Sequence, residues 1–288
     1  MTSETKTAPG GTFALGGDLT VNRLGYGAMR IVGKGVWGPP EDHDRVLAVL
    51  REAVARGVNF IDTADSYGPF YSEELIKEAL HPYPEDLVIA TKGGFVRTGP
   101  DEWTMLGKPA YLRQQVETSL RRLGVERIDL YQLHRVDPDY PLADQVGELK
   151  ALRDEGKIRH IGLSEVDVET LEEARETVEI VSVQNMYNVA SRASEAVLDH
   201  AEANGIGFIP WFPVGVGKLA RPGGVLDDIA KETGATPAQL ALAWLLRRSP
   251  VMLPIPGTSS PEHLAENMAA AEIELTDEQF EAIAKAAE

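Results

Sequence analysis

The sequence contains 288 residues, of which 43% are hydrophobic and 25% are charged, a composition that excludes disordered and fibrous classes of protein. Its 45 acidic residues outnumber its 28 basic residues, and the formal net charge of -17 disfavours nucleic acids and anionic membranes as partners. Because there is no cysteine, disulfide bonds, thiolate nucleophiles and cysteine-ligated zinc are excluded as well.

The length and the distribution of apolar residues predict one soluble domain. No apolar run reaches the roughly 18 residues that a membrane-spanning helix needs. The polar segment 1–11 contains no stretch that would serve as a secretory signal, so we expect a cytoplasmic protein. No linker or low-complexity tract divides the chain, and residues 1–288 are therefore predicted to form a single domain, with residues 1–11 flexible. The sequence leaves the oligomeric state open.

The predicted elements alternate between short apolar strands and amphipathic helices. A small hairpin comes first, with strands at 12–15 and 19–21 joined by a Gly-Gly-Asp turn. Apolar runs typical of buried parallel strands follow, at residues 23–27, 58–62, 87–92, 128–134, 160–164, 181–186, 207–212 and 251–255. Segments of helical period lie between them, at residues 43–56, 71–80, 110–123, 142–155, 168–178, 193–204 and 237–248. This alternation predicts an α/β fold, a (β/α)8 TIM barrel, with an extra C-terminal helix at 276–288.

Polar residues follow several of the predicted strands, at the end of the barrel where reactive groups usually lie. They are Asp62 and Tyr67 after the second strand, Lys92 after the third and His134 after the fourth. A buried lysine beside a carboxylate stays charged, and a cation beside a phenol is expected to lower the pKa of Tyr67. Such a phenol can give its proton to a carbonyl oxygen that a neighbouring imidazole orients. Because no amino-acid side chain supplies a hydride, this chemistry implies a nicotinamide cofactor.

Each of these residues also has an alternative interpretation. Taken alone, a strand-end aspartate or lysine is often structural, and His134 would fit a core histidine whose hydrogen bonds are satisfied. A Schiff-base aldolase with Lys92 as nucleophile is a rival enzyme class on the same barrel, although a carboxylate and a phenol beside it oppose the neutral amine that it needs. A non-catalytic, cofactor-binding regulatory subunit is a third interpretation. The catalytic interpretation is favoured because all four residues end successive strands.

Three segments carry a resemblance to a known family. The sequences GVNFIDTADSYG at 57–68, YQLHRVDP at 131–138 and LPIPGTSSPEHLAEN at 253–267 resemble the signatures of the aldo-keto reductases. Within that family the chain is most similar to bacterial members of the pyridoxal-reductase-like and general carbonyl-reductase type. The resemblance implies a catalytic tetrad of Asp62, Tyr67, Lys92 and His134, in which Tyr67 is the general acid when NADPH reduces an aldehyde or ketone. It also implies a cofactor bound without a Rossmann unit, in agreement with the lack of a Gly-x-Gly-x-x-Gly motif between a strand and a helix.

The same resemblance assigns residues to the nicotinamide end of the cofactor. Ser164 and Gln184 match the positions that hold the carboxamide, and Trp211 matches the aromatic residue that stacks on the ring. A core residue of the seventh strand is the alternative interpretation of Trp211. Glu165 stands where the family usually has asparagine, and a carboxylate accepts a hydrogen bond from the carboxamide NH2 but donates none.

The phosphate groups are expected at two short segments. Gly215 and Lys218 belong to a glycine-rich stretch that matches the pyrophosphate loop, where backbone amides can approach phosphate oxygens. At Gly257, Thr258 and Ser259, small side chains lead into a helix N-terminus that suits the adenosine 2′-phosphate, and an ordinary helix cap is the alternative.

The adenosine end of the cofactor decides between NADPH and NADH. His263 stands where many relatives have arginine, and Glu266 and Asn267 match the adenine contacts. Because histidine is a weaker cation near neutral pH, NADPH is expected and NADH is the alternative. Lys218 or Arg221 would compensate for the missing arginine.

Aromatic residues near Tyr67 are the candidates for the substrate pocket. They are Trp37 in the loop of residues 29–41, Phe70 shortly after Tyr67, and Trp103 in the loop of residues 93–108. Together they would form an apolar wall for a small-molecule carbonyl substrate, with lid packing as the alternative for each. Arg135 would either meet an anionic group of the substrate or form an outward-facing salt bridge. The sequence leaves the substrate and the direction of the reaction in the cell open.

Overall fold

The computed structural model describes residues 10–216 and 224–286, so residues 1–9 of the segment 1–11 that was predicted to be flexible lie outside the described residues. Its strands are β1 (Thr12–Leu15), β2 (Leu19–Asn22), β3 (Tyr26–Gly27), β4 (Phe60–Asp62), β5 (Val88–Gly93), β6 (Phe95–Gly99), β7 (Glu102–Met105), β8 (Ile128–Leu133), β9 (Ile158–Ser164), β10 (Ser182–Gln184) and β11 (Gly207–Phe208). Its α-helices are α1 (His43–Ala55), α2 (Tyr71–Leu80), α3 (Pro109–Leu123), α4 (Leu142–Asp154), α5 (Val168–Thr177), α6 (Glu195–Asn204), α7 (Val225–Thr233), α8 (Pro237–Arg248), α9 (Pro261–Ala269) and α10 (Asp277–Ala286). These elements form the α/β barrel that the sequence predicts.

One parallel sheet of seven strands forms the wall of the barrel, in the order β3, β4, β5, β8, β9, β10 and β11. Each strand lies beside the one that precedes it in this order because a helical crossover returns the chain to the same end. The register sets Asp62 beside Ala90 and Lys92 beside Gln132. The polar residues that end neighbouring strands are therefore brought to one end of the barrel.

Residues 251–256 close the barrel between its last and first strands. The N–H of Leu253 donates to the carbonyl of Phe208 at 2.8 Å, and the N–H of Gly25 donates to the carbonyl of Pro254 at 2.9 Å. Since a proline has no N–H, Pro254 accepts from the first strand without returning a hydrogen bond. The strand predicted at 251–255 is thus a closing segment with one β-bridge rather than a regular strand.

The predicted N-terminal hairpin is confirmed, and it fills the amino end of the barrel. β1 and β2 pair through a turn in which Gly16 and Gly17 have φ of 59° and 81°, the left-handed region that glycine adopts at little cost. Leu15 and Val21 are fully buried and pack against Phe60 near the start of β4. The polar strand ends therefore lie at the opposite end of the barrel.

Two further regions of the chain differ from the predictions. The loop expected at 93–108 contains the antiparallel hairpin of β6 and β7, whose short and partly exposed strands lack the apolar run that marks a buried strand. Helix α7 was not predicted, because only Leu226 and Ile229 of its nine residues are buried and its apolar stripe is narrow. The boundaries of the seven predicted inter-strand helices agree with the observed helices within two residues.

The predicted C-terminal helix is confirmed as α10, and residues 287–288 of that prediction lie outside the described residues. Ile283 is buried, and the ring of Phe280 stacks on Trp244 of α8 with the ring centroids 5.5 Å apart. This packing seals the outer face of α8. Over residues 10–216 and 224–286, no helix has the length and apolar character needed to cross a membrane.

Candidate active site

The ammonium group of Lys92 is the centre of a buried polar cluster at the carboxyl ends of β4 and β5. Its Nζ donates to Asp62 Oδ1 at 2.6 Å, to the carbonyl of Thr63 at 2.8 Å and to Tyr67 Oη at 3.3 Å. The side chain is fully buried, and these acceptors use all of its protons. Tyr67 Oη thus accepts a hydrogen bond from Lys92, which leaves its own proton free to be donated elsewhere.

Two amides hold the other side of the Asp62 carboxylate. Asp62 Oδ2 accepts from Gln132 Nε2 at 3.0 Å and from Gln184 Nε2 at 2.8 Å. A buried carboxylate held by a cation and two N–H donors is fixed in orientation. Gln132 was not singled out in the sequence. Its signal was a polar residue in the middle of an apolar strand, in step with the inward-facing His134 two positions later.

The pKa values within the cluster are set by a competition between burial and charge. Burial lowers the pKa of Lys92, but Asp62 and Tyr67 raise it by more, so Lys92 stays an ammonium as expected. Burial raises the pKa of Tyr67, the charge of Lys92 lowers it, and the charge of Asp62 raises it again, with a net increase. The predicted lowering of the Tyr67 pKa is therefore wrong, because desolvation of the phenolate outweighs the neighbouring cation. Tyr67 is a protonated phenol at neutral pH.

His134 lies beside Tyr67 without a direct hydrogen bond to it. The two ring centroids are 6.0 Å apart, and His134 Nδ1 lies 3.3 Å from Ser66 Oγ. Nε2 has no hydrogen-bond partner in the part of the chain that the structure describes. Burial, together with the charges of Lys92 and Arg135, holds the pKa of His134 well below its ordinary value. The imidazole is therefore neutral, and it differs from a core histidine with both nitrogens satisfied.

Aromatic rings form a wall next to Tyr67. The Trp103 ring centroid lies 6.5 Å from that of Tyr67, and the Phe95 centroid lies 5.3 Å from Trp103 and 4.7 Å from His134. All three contacts are edge-to-face, the arrangement that aromatic quadrupoles favour. The structure thus brings Trp103 to the cluster, and it adds Phe95 from the same hairpin.

Arg97 joins the segments that carry this wall. Its guanidinium carbon lies 3.6 Å from the Trp103 ring centroid and 5.8 Å from that of Trp37. The guanidinium donates to the backbone carbonyls of Gly35, Val36, Ser66, Gly99 and Glu102. These acceptors belong to the loop of Trp37, the turn of Tyr67 and the β6–β7 hairpin, so one buried side chain fixes all three. The sequence offered no signal for this role, because the acceptors are backbone atoms distant in the chain.

Phe70 lies apart from the aromatic wall. It precedes α2 with a left-handed φ of 74°, its side chain is 40% exposed, and the Arg122 guanidinium carbon lies 4.3 Å from its ring centroid. Arg122 in turn pairs with the buried Glu73 at 2.5 Å. No described contact joins Phe70 to the rings around Tyr67, and its role in substrate binding stays a prediction.

Residues predicted to hold the nicotinamide carboxamide end β9 and β10. Gln184 donates to Asp62 through Nε2, while its Oε1 has no hydrogen-bond partner within residues 10–216 and 224–286. Ser164 Oγ accepts from Arg135 Nη1 at 3.0 Å. A free amide oxygen and a hydroxyl on adjacent strands match the donor and acceptor groups of a carboxamide.

Glu165 faces Trp211. Its Oε1 accepts from Trp211 Nε1 at 2.5 Å and from the backbone N–H of Met186 at 2.6 Å. Glu165 also has a left-handed φ of 56°, a conformation that asparagine adopts far more readily than glutamate. This conformation gives a physical reason for the asparagine that the family usually has at this position. In this chain the carboxylate orients Trp211.

The predicted phosphate segments are only partly described, since Lys218 and Arg221 lie outside the described residues. A Cβ at Gly215 would lie 2.5 Å from Asn188 Nδ2, so a larger residue there would force the Asn188 side chain to shift. A Cβ at Gly257 would likewise lie 2.5 Å from the carbonyl of Gly27. Both glycines are therefore explained by close packing of the loops.

The segment before α9 presents small polar groups at a helix N-terminus. Ser260 caps the helix, with its Oγ accepting from the N–H of His263 at 3.3 Å. The backbone carbonyl of Thr258 accepts a hydrogen bond from Tyr26 Oη at 2.5 Å. The hydroxyl of Ser259 is exposed and has no hydrogen-bond partner among the described residues. Arg30 flanks this segment, with its Cγ 3.6 Å from a Cβ placed on Gly257.

Glu266 and Asn267, predicted to contact the adenine, lie on α9. Glu266 Oε1 accepts from Thr236 Oγ1 at 2.5 Å, which ties α9 to the start of α8. The Asn267 side chain is half-buried and has no hydrogen bond to a described residue. His263 is exposed on the first turn of α9.

The fold and the cluster together define a class of protein. A buried ammonium binds a carboxylate and a phenol beside a neutral imidazole, at the carboxyl end of a parallel barrel. Such an arrangement is chemically suited to moving a proton to or from a small molecule. Comparisons with known proteins identify the family.

Residues 23–288 match the aldo/keto reductase family. An uncharacterized oxidoreductase of Schizosaccharomyces pombe is 54% identical over 264 residues, which cover 92% of this chain and 86% of that protein. The pyridoxine 4-dehydrogenase of Escherichia coli is 46% identical over 273 residues, which cover 93% of this chain and 95% of that protein. An aldo-keto reductase from Klebsiella pneumoniae, solved in complex with NADPH, has a TM-score of 0.82 at 27% identity, covering 95% of this chain and 94% of that one. This chain belongs to the aldo/keto reductase family and is an NAD(P)H-dependent oxidoreductase.

Proposed function

We propose that this protein uses NADPH to reduce an aldehyde or ketone reversibly to the alcohol, and that its catalytic tetrad is Asp62, Tyr67, Lys92 and His134. The observation that carries the proposal is the hydrogen bond from Lys92 Nζ to Tyr67 Oη, 3.3 Å long, inside a buried cluster. Because Lys92 donates to this oxygen, the tyrosine proton is available for a carbonyl oxygen outside the cluster.

The four side chains take distinct roles in this reaction. A nicotinamide cofactor, when bound, would supply the hydride that the carbonyl carbon accepts. Tyr67 gives its proton to the carbonyl oxygen, and the ammonium of Lys92 stabilises the phenolate that remains. Asp62 keeps Lys92 charged and in place. In the tautomer in which Ser66 Oγ donates to Nδ1 of His134, the single proton of the neutral imidazole lies on Nε2, from which it would orient the carbonyl oxygen.

The chain's own groups fit a nicotinamide cofactor. The free Oε1 of Gln184 and the hydroxyl of Ser164 suit the carboxamide, and Trp211, held by Glu165, offers a ring face for stacking. At the adenosine end, the start of α9 and the Ser259 hydroxyl suit a phosphate. Arg30 has no hydrogen bond or ion pair to a described residue and would add the charge that His263 supplies weakly. NADPH is therefore the proposed cofactor, with NADH as the alternative.

Within the class of aldehydes and ketones, we propose pyridoxal as the specific substrate. Its support is the 46% identity to the Escherichia coli pyridoxine 4-dehydrogenase across almost the whole of both chains. Reduction of the pyridoxal aldehyde would be the reverse of the dehydrogenation in that name. The aromatic wall of Phe95 and Trp103 offers ring faces to a flat heteroaromatic aldehyde. We further propose that the protein acts in the cytoplasm on a small molecule and needs neither nucleic acid nor membrane as a partner.

The two rival functions of the barrel are opposed by the same cluster. A Schiff-base aldolase needs a neutral Lys92, whereas Asp62 and Tyr67 raise the pKa of this amine despite its burial. Borohydride trapping of a substrate imine on Lys92 would support the aldolase. A regulatory subunit would bind NADPH without turning over any carbonyl compound, and an intact proton-donating cluster argues against it.

The test is NADPH oxidation, followed by absorbance across a panel of aldehydes and ketones that includes pyridoxal. Tyr67→Phe is expected to lower kcat by about 100- to 10,000-fold, the usual contribution of a general acid. Tyr140→Phe is the matched control, because this half-buried phenol makes no side-chain hydrogen bond to a described residue. Equal rates for the wild type and Tyr67→Phe would overturn the assignment. NADPH binding without turnover of any panel member would favour the regulatory subunit.

A further inference from the structure

Arg135 lies at the edge of the proposed active site without a carboxylate partner. Its Nη1 donates to the carbonyl of His134 at 2.5 Å and to Ser164 Oγ at 3.0 Å, and its guanidinium carbon lies 5.5 Å from the Phe95 ring centroid. Among the described residues it forms no ion pair, so the outward-facing salt bridge considered from the sequence is absent. Its Nε and Nη2 have no hydrogen-bond partner there either.

The free donors of Arg135 are the pair that binds an oxyanion best. Nε and Nη2 lie on one edge of the planar guanidinium and point in parallel, so together they match the two oxygens of a carboxylate or phosphate. Nη1, on the other edge, is used to fix the group against Ser164. The half-buried side chain is thus held in place with its binding edge unoccupied by protein.

No described carboxylate forms an ion pair with Arg135. Burial lowers the arginine pKa, and the negative charge of Glu165 is near enough to raise it in part. Lys92 is neutralised by Asp62 at 2.6 Å, and Arg97 is surrounded by backbone carbonyls. The carboxylate of Glu165 binds Trp211 and a backbone N–H instead of Arg135. Unlike Arg97, whose guanidinium is occupied by backbone carbonyls, Arg135 keeps Nε and Nη2 without a described acceptor, and a bound anion would supply one.

Arg135 is also close enough to the reacting groups for one small molecule to span both. Its positive charge acts on the ionisation of Tyr67 and of His134, and the Phe95 ring that it contacts packs edge-on to His134. A substrate whose carbonyl oxygen meets Tyr67 would therefore place a substituent a few atoms away against the free edge of Arg135.

We propose that Arg135 is a specificity-determining residue that binds a carboxylate or phosphate group of the carbonyl substrate. The proposal rests on the proposed reductase function and predicts that aldehydes and ketones carrying a carboxylate or phosphate are better substrates than their uncharged counterparts, with pyridoxal 5′-phosphate preferred to pyridoxal. Arg135 takes no part in the hydride or proton transfer. Its effect is on which carbonyl compound occupies the site.

The test compares matched charged and uncharged substrates in the full-length protein with NADPH. For a carboxylate, the pair is 4-carboxybenzaldehyde and its methyl ester; for a phosphate, it is pyridoxal 5′-phosphate and pyridoxal. The wild type should prefer the charged member, and Arg135→Gln should reduce that preference in kcat/KM by about 10- to 100-fold, mainly through KM. Arg135→Lys should keep part of it. Arg153→Gln, in an exposed pair with Asp154, is the control and should leave the preference at the wild-type value.

The outcomes separate this inference from the reductase function. If neither member of a pair supports NADPH oxidation, the reductase function fails. If both are reduced but the wild type shows no preference for the anion, or Arg135→Gln lowers both rates equally, the anion site is wrong. The substrate pair for which Arg135→Gln loses more of the preference shows whether the site binds a carboxylate or a phosphate. Should Arg135→Gln not fold, inhibition of the wild type by benzoate but not by benzamide would support the site, and equal inhibition would refute it.

Discussion

The indole N–H of Trp211 donates to Glu165 Oε1 over 2.5 Å, across the gap between the ends of β9 and β11. The same oxygen accepts from the N–H of Met186, so the carboxylate is anchored to backbone before it binds the indole. Glu165 keeps a left-handed φ of 56° to make both contacts. An acidic residue in this place thus fixes the orientation of the ring proposed to stack on the nicotinamide.

Removal of the Glu165 carboxylate should weaken cofactor binding more than stability. Glu165→Ala frees the Trp211 ring, and we expect the Kd for NADPH to rise by about 3- to 10-fold, equivalent to the loss of one partly exposed hydrogen bond. Glu165→Gln is the matched control, since its amide oxygen can accept from both donors. The Kd is measured by titration of NADPH fluorescence. An unchanged Kd in Glu165→Ala would mean that Trp211 needs no such support.

The pKa directions of Tyr67 and His134 predict how the rate of reduction depends on pH. Burial raises the pKa of Tyr67, so the phenol keeps its proton through neutral pH, and burial with nearby cations lowers that of His134, so the imidazole is neutral there. We expect kcat/KM for reduction to be nearly constant between about pH 6 and 9. An unperturbed histidine would titrate at the lower end of this range, near pH 6.5. A steady-state pH profile measures this. A break near pH 6.5 that vanishes in His134→Gln would contradict the neutral imidazole.

Arg97 should affect stability and substrate binding together, because it joins three segments of the pocket. Arg97→Met removes hydrogen bonds to five buried or half-buried backbone carbonyls, and we expect a loss of about 2–4 kcal/mol in the free energy of unfolding. Loss of the guanidinium also releases Trp37 and Trp103 from their contacts. We therefore expect KM for the carbonyl substrate to rise about tenfold. Urea denaturation and steady-state kinetics measure the two effects.

Arg97→Lys tests whether charge alone suffices. Lysine keeps the cation but has three donors and no planar face, so both effects should persist at about half their size. Arg175→Met, which removes a half-buried arginine that pairs with the exposed Glu172 on the outer helix α5, is the control and should change neither quantity measurably. Full recovery in Arg97→Lys would show that the hydrogen-bond geometry is unimportant.

Asp65 should destabilise the fold progressively as pH rises. It is buried, and neither carboxyl oxygen makes a well-aligned side-chain hydrogen bond in the described residues. Burial and the charge of Glu73 raise its pKa well above the ordinary value. The folded protein thus holds a proton that the unfolded chain releases at lower pH, and its stability falls as pH rises from the ordinary carboxyl pKa through the folded one.

Asp65→Asn removes that ionisation and should make the protein more stable than the wild type by about 1–2 kcal/mol at pH 8, with the difference shrinking toward pH 4. Thermal unfolding at several pH values measures this, with the exposed Asp86→Asn as control. A variant that is less stable by the same amount at every pH would show that the carboxyl group has a structural partner.

The sequence by itself determined the barrel and the location of the cluster. Short apolar runs predict the strands, and amphipathic segments predict the helices. Parallel strands joined by helices must then bring their carboxyl ends together. Asp62, Tyr67, Lys92 and His134 follow such strand ends, so their meeting could be predicted without coordinates. The hairpin of β1 and β2 could likewise be predicted from its Gly-Gly-Asp turn.

Only the tertiary structure decided how these groups behave and what surrounds them. The Tyr67 pKa depends on the balance between desolvation and the charges of Lys92 and Asp62, and that balance follows from burial, which the sequence does not state. The carbonyls that Arg97 binds and the free edge of Arg135 are set by chain segments far apart in sequence. Local patterns fix where the strands end, whereas long-range packing fixes the dielectric environment and the partners of each side chain.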